Sequence, residues 1–214
     1  IMDGRRATGV VYARNGAEVR AHAEREVILA GGAFNSPQLL MLSGIGPADH
    51  LRDHGIDVVL DLPGVGSNLQ DHLAVMLSVE RTTPGHFHAT MRYDKLAANV
   101  PRAYVAGTGP ATWLPNGLHG FVKTRSELAV PDIQFITRGT AANAHPWFPG
   151  IKKPYTDTFG MRPVLLHPES RGTIRLRSAD PRASMRIGQN FFSAKEDLPV
   201  LRGGFKAVRE VLSH

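Results

Sequence analysis

The residues with the clearest chemical potential lie between Glu26 and Gly46. An apolar segment, Glu26-Val27-Ile28-Leu29-Ala30, reads as a buried strand and runs directly into Gly31, Gly32 and Ala33. An Asn35-Ser36 pair with the side chains of a helix cap follows, then Pro37, then the apolar stretch Gln38 to Ser43, and Gly44 and Gly46 close it. Small residues where a strand ends allow another backbone or a ligand to come close. Proline at a first helical position loses nothing, because that N–H has no intrahelical partner. A strand, a glycine turn and a helix N-terminus in succession can hold a phosphate-bearing cofactor. Many ordinary strand-to-helix connections have the same shape, so the pattern alone leaves both readings open.

A second block, Leu62-Pro63-Gly64-Val65-Gly66-Ser67-Asn68-Leu69-Gln70-Asp71-His72, opens like a G-x-G-x-x-G dinucleotide fingerprint. Its third glycine position is Leu69 and no regular helix clearly follows, so the fingerprint assignment is rejected. Asn68, Asp71 and His72 are polar groups in an apolar neighbourhood. They either hydrogen-bond a loop backbone or touch a cofactor.

Histidine is frequent, with 10 in the chain. His86 and His88 would share a strand face and offer a pair of metal ligands. No third ligand has suitable spacing and no H-E-x-x-H occurs, so no metal site is expected. His119, His145 and His167 read as structural or surface residues. With Cys 0, disulfides, thiolate nucleophiles and Cys-based metal centres are excluded within the chain. A cysteine-free chain suits a reducing compartment, and a cytoplasmic location is the expectation.

These groups need a scaffold. Ala7 to Tyr12 and Glu18 to Ala23 read as strands joined by an Asn15-Gly16 hairpin turn. Pro47 to His54 reads as a helix stopped by Gly55, and Ile56 to Leu60 as a strand. His72 to Glu80 is extended. Thr82-Thr83-Pro84-Gly85 marks a change of texture. Beyond it, a helix over Tyr93 to Ala106 should end at Gly107 and kink or split at Pro101. Short strands are expected near 120–124, 132–137, 162–167 and 173–178, with a loop over 144–155. Ser193-Ala194-Lys195-Glu196 has the form of a capping box. It should open a last amphipathic helix with Leu198, Leu201, Phe205, Val208, Val211 and Leu212 on its apolar side. The fold class is α/β (α+β), a strand-and-helix first third followed by a looser antiparallel part.

Composition agrees with a globular protein. Hydrophobic residues make up 42% and charged residues 21%, against Gly 22 and Pro 15, a balance that suits a loop-rich folded chain. The formal charge is +6, yet the arginines are scattered and no aromatic-interleaved basic tract occurs, so nucleic acid is not an expected partner. No apolar run is long enough to span a membrane. Ile1 to Arg6 reads as the middle of a strand and turn, and the chain stops at His214 without a terminator, so it reads as an internal fragment.

The run Gly32 to Gly46 resembles the second signature of the glucose-methanol-choline (GMC) family of flavin-dependent alcohol oxidoreductases. The Leu62–His72 block resembles the family's flavin-covering segment, and Ser170-Arg171-Gly172-Thr173-Ile174-Arg175-Leu176-Arg177-Ser178-Ala179-Asp180-Pro181 its substrate-domain strand. The nearest branch is choline-dehydrogenase-like. The resemblance implies residues 1–80 in part of an FAD-binding domain, 81–188 in a substrate domain on an antiparallel sheet, and 189–214 as a helix leading back to the FAD domain. It implies FAD as cofactor, near Gly31, Gly32, Ala33, Ser36, Pro37, Asn68, Leu69, Asp71 and His72. A small alcohol would lose a hydride to the flavin, with the electron acceptor (oxygen, quinone or another carrier) open. The family's nucleotide fingerprint and catalytic histidine have no counterpart here; they are expected N-terminal and C-terminal to this chain, and His214 lacks the histidine's flanking pattern. Alone, the fragment is then expected to be inactive, to lack FAD and to expose strand 26–30 as an open edge. A GMC-fold lyase acting on a cyanohydrin and a non-catalytic flavin-fold module are the alternatives. Trp113, Phe121, Phe135, Trp147, Phe148 and Tyr155 fill core or line an alcohol pocket. Residues 107–123 hold no carboxylate, which gives choline itself no support.

Overall fold

In the computed structural model, residues 1–113 and 116–213 are described, and His214 lies outside them. The chain forms two compact units. The first joins residues 1–71 to 170–193, and the second joins 72–169 to 194–214.

The first unit begins with the expected hairpin. Strands Gly9–Arg14 and Ala17–His22 pair antiparallel from Gly9↔His22 to Arg14↔Ala17. Asn15 (φ 51°) and Gly16 (φ 82°) make the turn, the conformation for which Asn-Gly is selected. The segment 26–30 departs from expectation. It forms no strand, and Ile28 is 78% exposed. Its apolar residues encode a preference for burial, but a strand exists only where a neighbour supplies the ladder.

The helix after it spans Gly32–Leu42, with Gly31 at its N-cap and Pro37 inside it. It therefore starts five residues before the expected 37–43 helix, and neither Asn35 nor Ser36 caps it. The Gly31 N–H donates to Ser36 Oγ at 3.0 Å, which folds the hydroxyl back over the helix start. Pro37 removes only a bond to the Ala33 carbonyl, and its fixed φ is helical, so the helix continues through it. Helix Ala48–Asp53 forms as expected. It begins with the Ala48 N–H donating to Asp61 Oδ1 at 3.0 Å and ends before Gly55 (φ 68°). The strand expected over 56–60 shortens to Leu60–Asp61, parallel to Ile45–Gly46. Met41, Leu51, Val65 and Leu176 form the core of this unit.

Leu176 also explains why residues 170–193 join this unit rather than the antiparallel half in which the sequence placed the 170–181 block. Strands Thr173–Arg175 and Arg186–Gly188 pair with each other in a two-stranded sheet. Leu176, just beyond the first of them, is buried in the Met41–Leu51 core.

The second unit is a 5-stranded antiparallel sheet. Its central strand, Thr158–Leu165, pairs with Ile133–Arg138 on one side and with Leu77–Glu80 and Leu73–Ala74 on the other; Asn116–Val122 extends the sheet beyond Ile133–Arg138. The last helix, Asp197–Leu212, lays Leu201, Gly204 and Val208 on this sheet, with Ile133 and Leu165 facing Leu201. A Cβ at Gly204 would stand 2.9 Å from Pro163 Cβ, so glycine there is what lets the helix seat closely. Leu198 and Val211, expected on the apolar side, are 46% and 52% exposed. The expected capping box does not form. Instead Asp197 Oδ1 accepts the Glu169 N–H at 2.7 Å, tying the helix start to the end of the sheet.

Helix Tyr93–Ala106 ends at Gly107 in the left-handed conformation, as expected, and runs through Pro101 unbroken. His86 and His88 lie on a short helix, His86–Thr90, rather than a strand. His88 is buried, its Nε2 3.1 Å from the Tyr155 carbonyl and its ring against Trp147 and Tyr155. It is part of an aromatic core.

Candidate functional site

Within the first unit, the start of helix Gly32–Leu42 and the glycine loop 64–70 face each other across a cleft of about 520 Å³. Ala33, Ser36, Pro37 and Leu40 form the helix wall. Residues 64–70 form the other wall, and Ile174 lies between. Of the residues proposed from sequence, the cleft gathers Ala33, Ser36, Pro37, Asn68 and Leu69. Gly31 and Gly32 sit at the helix start without lining it. Asp71 accepts from Gln189 Nε2 at 3.3 Å, and His72 belongs to the second unit.

The loop wall is held by its backbone. Gly66 has φ 69°, and a Cβ there would run into the Ile174 carbonyl oxygen. The Ile174 N–H donates to the Gly66 carbonyl at 2.6 Å. One step on, Leu69 and Gly172 exchange both backbone bonds, at 3.0 and 2.8 Å. Arg175 then locks the turn. Its Nη1 donates to the carbonyls of Val65 (3.2 Å), Gly66 (2.8 Å) and Ile174 (2.8 Å), and its Nη2 to Ser67 Oγ (3.2 Å). The planar guanidinium spreads its donors over two nitrogens, so one side chain reaches the carbonyls and the Ser67 hydroxyl together.

The lining is mixed apolar and neutral polar. Among the described residues, no titratable side chain lines this cleft, and those that do line it can bind and orient a ligand. The first turn of Gly32–Leu42 carries no acidic residue. The positive end of the helix dipole lies at this start, which favours an anion such as a pyrophosphate nearby. Gly64 has nothing within 4 Å of its Cβ position, which leaves its backbone open to a flat ligand. These residues fit a dinucleotide cofactor of the FAD kind.

Sequence reasoning missed Gly66, Ile174 and Arg175 as parts of this site. The alternation Ile174-Arg175-Leu176-Arg177 was a usable signal. It places the two apolar residues on one side and the two arginines on the other.

Profiles of the GMC oxidoreductase family match residues 1–74 and 168–214. The mitochondrial choline dehydrogenase of Homo sapiens is 38% identical across 100% of this chain, and the chain spans 35% of that relative. The oxygen-dependent choline dehydrogenase of Paraburkholderia phymatum is 36% identical, again over 100% of this chain and 36% of its own length. Among solved structures, a variant of Aspergillus oryzae RIB40 formate oxidase made to follow FAD modification superposes with a TM-score of 0.81 at 27% identity. It covers 99% of this chain and 41% of its own. The chain thus spans about a third of the length of the curated relatives it matches.

Proposed function

Because this chain belongs to the GMC oxidoreductase family, we propose that it forms part of the cofactor shell and substrate wall of an FAD-dependent enzyme that oxidises the CH–OH group of a small alcohol. The observation that carries this reading is the cleft between Ala33-Ser36-Pro37 and the 64–70 loop, with the start of helix Gly32–Leu42 at one end and Arg175 bonded to the loop. When bound, the flavin supplies the hydride acceptor.

The protein's own contribution here is position. Ala33 and Pro37 present a small, rigid wall. Ser67 and Asn68 offer neutral hydrogen-bonding groups, and Arg175 ties the loop to its own strand through the Val65, Gly66 and Ile174 carbonyls and Ser67 Oγ. With no charged side chain in its lining, the cleft leaves the electronics of a bound ring to the backbone dipoles. The relatives' names make choline one candidate alcohol among several.

Flavin retention in the full-length protein tests the reading. Gly66→Ala should release flavin, because the loop wall must shift, whereas Gly16→Ala in the distant hairpin turn should keep it. Anaerobic addition of choline and of simple primary alcohols should bleach the flavin absorbance with at least one of them. A folded Gly66→Ala protein with a full flavin complement would overturn the assignment of the cleft.

A further inference from the structure

A second cleft in this unit, of about 540 Å³, is lined by His50, Asp53, His54, Arg175, Leu176, Arg177 and Arg186. Its charge is one-sided. Arg175 stands directly across the ladder from Arg186, and like charges at directly opposed positions destabilise an antiparallel pair. Arg177 and Arg186 form no ion pair among the described residues. Among the described residues, Asp53 is the single carboxylate in the lining. The histidines are arranged rather than loose. The Leu176 N–H donates to His50 Nε2 at 3.0 Å, which makes that ring a neutral acceptor with its proton on Nδ1. His54 Nδ1 lies 2.9 Å from the His50 carbonyl and donates to it, and the two rings are 4.5 Å apart.

We propose that this cleft binds a phosphate group, as inorganic phosphate or a phosphate monoester, through the guanidinium groups of Arg177 and Arg186, with Arg175 fixed behind them. Guanidinium forks match phosphate oxygens in bidentate geometry. A dianion would also relieve the opposed Arg175–Arg186 pair. The cleft is roomier than a bare ion needs, and the two histidine rings offer an organic group a surface to lie on. The held-down charge of His50 is consistent with this field. Burial first, then His54 and Arg175, keep its protonation below the ordinary range, with Arg186 adding to and Asp53 opposing them.

Titration calorimetry on the full-length, cofactor-loaded protein tests this, with ionic strength held constant by chloride. The probes are inorganic phosphate and a simple alkyl phosphate. Saturable binding of either is expected. It should weaken at least about tenfold in Arg186→Gln and in Arg177→Gln, the cost of one charge-assisted bond. Both side chains are exposed, so folding should survive, and Arg20→Gln in the hairpin should bind as wild type. Tighter binding of the alkyl phosphate would identify an organic phosphate as the ligand, and equal binding the free ion. Absence of saturable binding, or an unchanged constant in the Arg177→Gln/Arg186→Gln protein, would overturn the proposal.

Discussion

The two units are held together by different physics. In the second, an antiparallel sheet and a long helix bury side chains against each other: Ile133, Leu165, Leu201 and Val208 are all nearly inaccessible. In the first, apart from the Gly9–His22 hairpin the ladders are two or three residues long, and much of the closure is backbone against backbone. Gly66 lies against the Ile174 carbonyl, Leu69 bonds Gly172, and one arginine gathers three carbonyls. A side-chain core is forgiving of shape and intolerant of voids. A backbone contact has no slack for any added atom. The candidate cofactor cleft sits in the unit built the second way, where a ligand can approach the main chain directly.

The largest expected effect tests that contrast at its tightest point. Gly66→Ala combines a left-handed residue with an unavoidable clash against a carbonyl, and should destabilise the protein by about 3–5 kcal/mol, the sum of strain and overpacking. Denaturant unfolding measures it; a loss under about 1 kcal/mol would mean that the first unit has more slack than its geometry implies. Next comes the side-chain core. Leu201→Ala should cost about 2–4 kcal/mol through the cavity it leaves, while Leu201→Met should cost less than about 1.5 kcal/mol. Equal losses in the two variants would contradict the picture of a forgiving core.

Arg175→Lys should follow, at about 1.5–3 kcal/mol, because one ammonium on a flexible stem cannot span the carbonyls held by Nη1 and the Ser67 hydroxyl held by Nη2 at once. Chemical unfolding and flavin retention would both register it, and a neutral result would reduce Arg175 to a bystander. The smallest effect is a pH dependence. His50 titrates below its ordinary value of 6.5 in the folded protein, chiefly through burial and then through His54 and Arg175. The unfolded chain therefore takes up a proton first as pH falls. The contribution of neutral His50 is fully present above about pH 6.5 and is lost as pH drops toward the folded value. Stability measured across that window in phosphate-free buffer should slope downward toward acid, and His50→Asn should flatten the slope. An identical slope in the variant would place the sensitivity elsewhere.

Local chemistry was legible in the sequence wherever the cause was local. The Asn15-Gly16 turn, the helix stops at Gly55 and Gly107, and the length of helix Tyr93–Ala106 follow from residues that set their own backbone angles or those of their neighbours. The candidate site was half legible. Ala33, Ser36, Pro37, Asn68 and Leu69 were named from two blocks well apart in sequence, and they meet in one cleft.

The remainder depended on partners that no local pattern specifies. Segment 26–30 carries the composition of a buried strand and has no ladder partner here. The helix at Gly32 begins ahead of Pro37 because Ser36 closes on Gly31, a contact that competes with the expected cap. The capping box at Ser193 yields to Asp197, whose carboxylate finds the Glu169 amide in three dimensions. Arg175 shows the division most clearly. The alternation in its strand fixed which side of the ladder it occupies, since side chains on a strand must alternate. That its guanidinium closes the 64–67 turn some 110 residues earlier in the chain was decided only when Leu176 was buried beside Met41 and Leu51 and brought the two segments together.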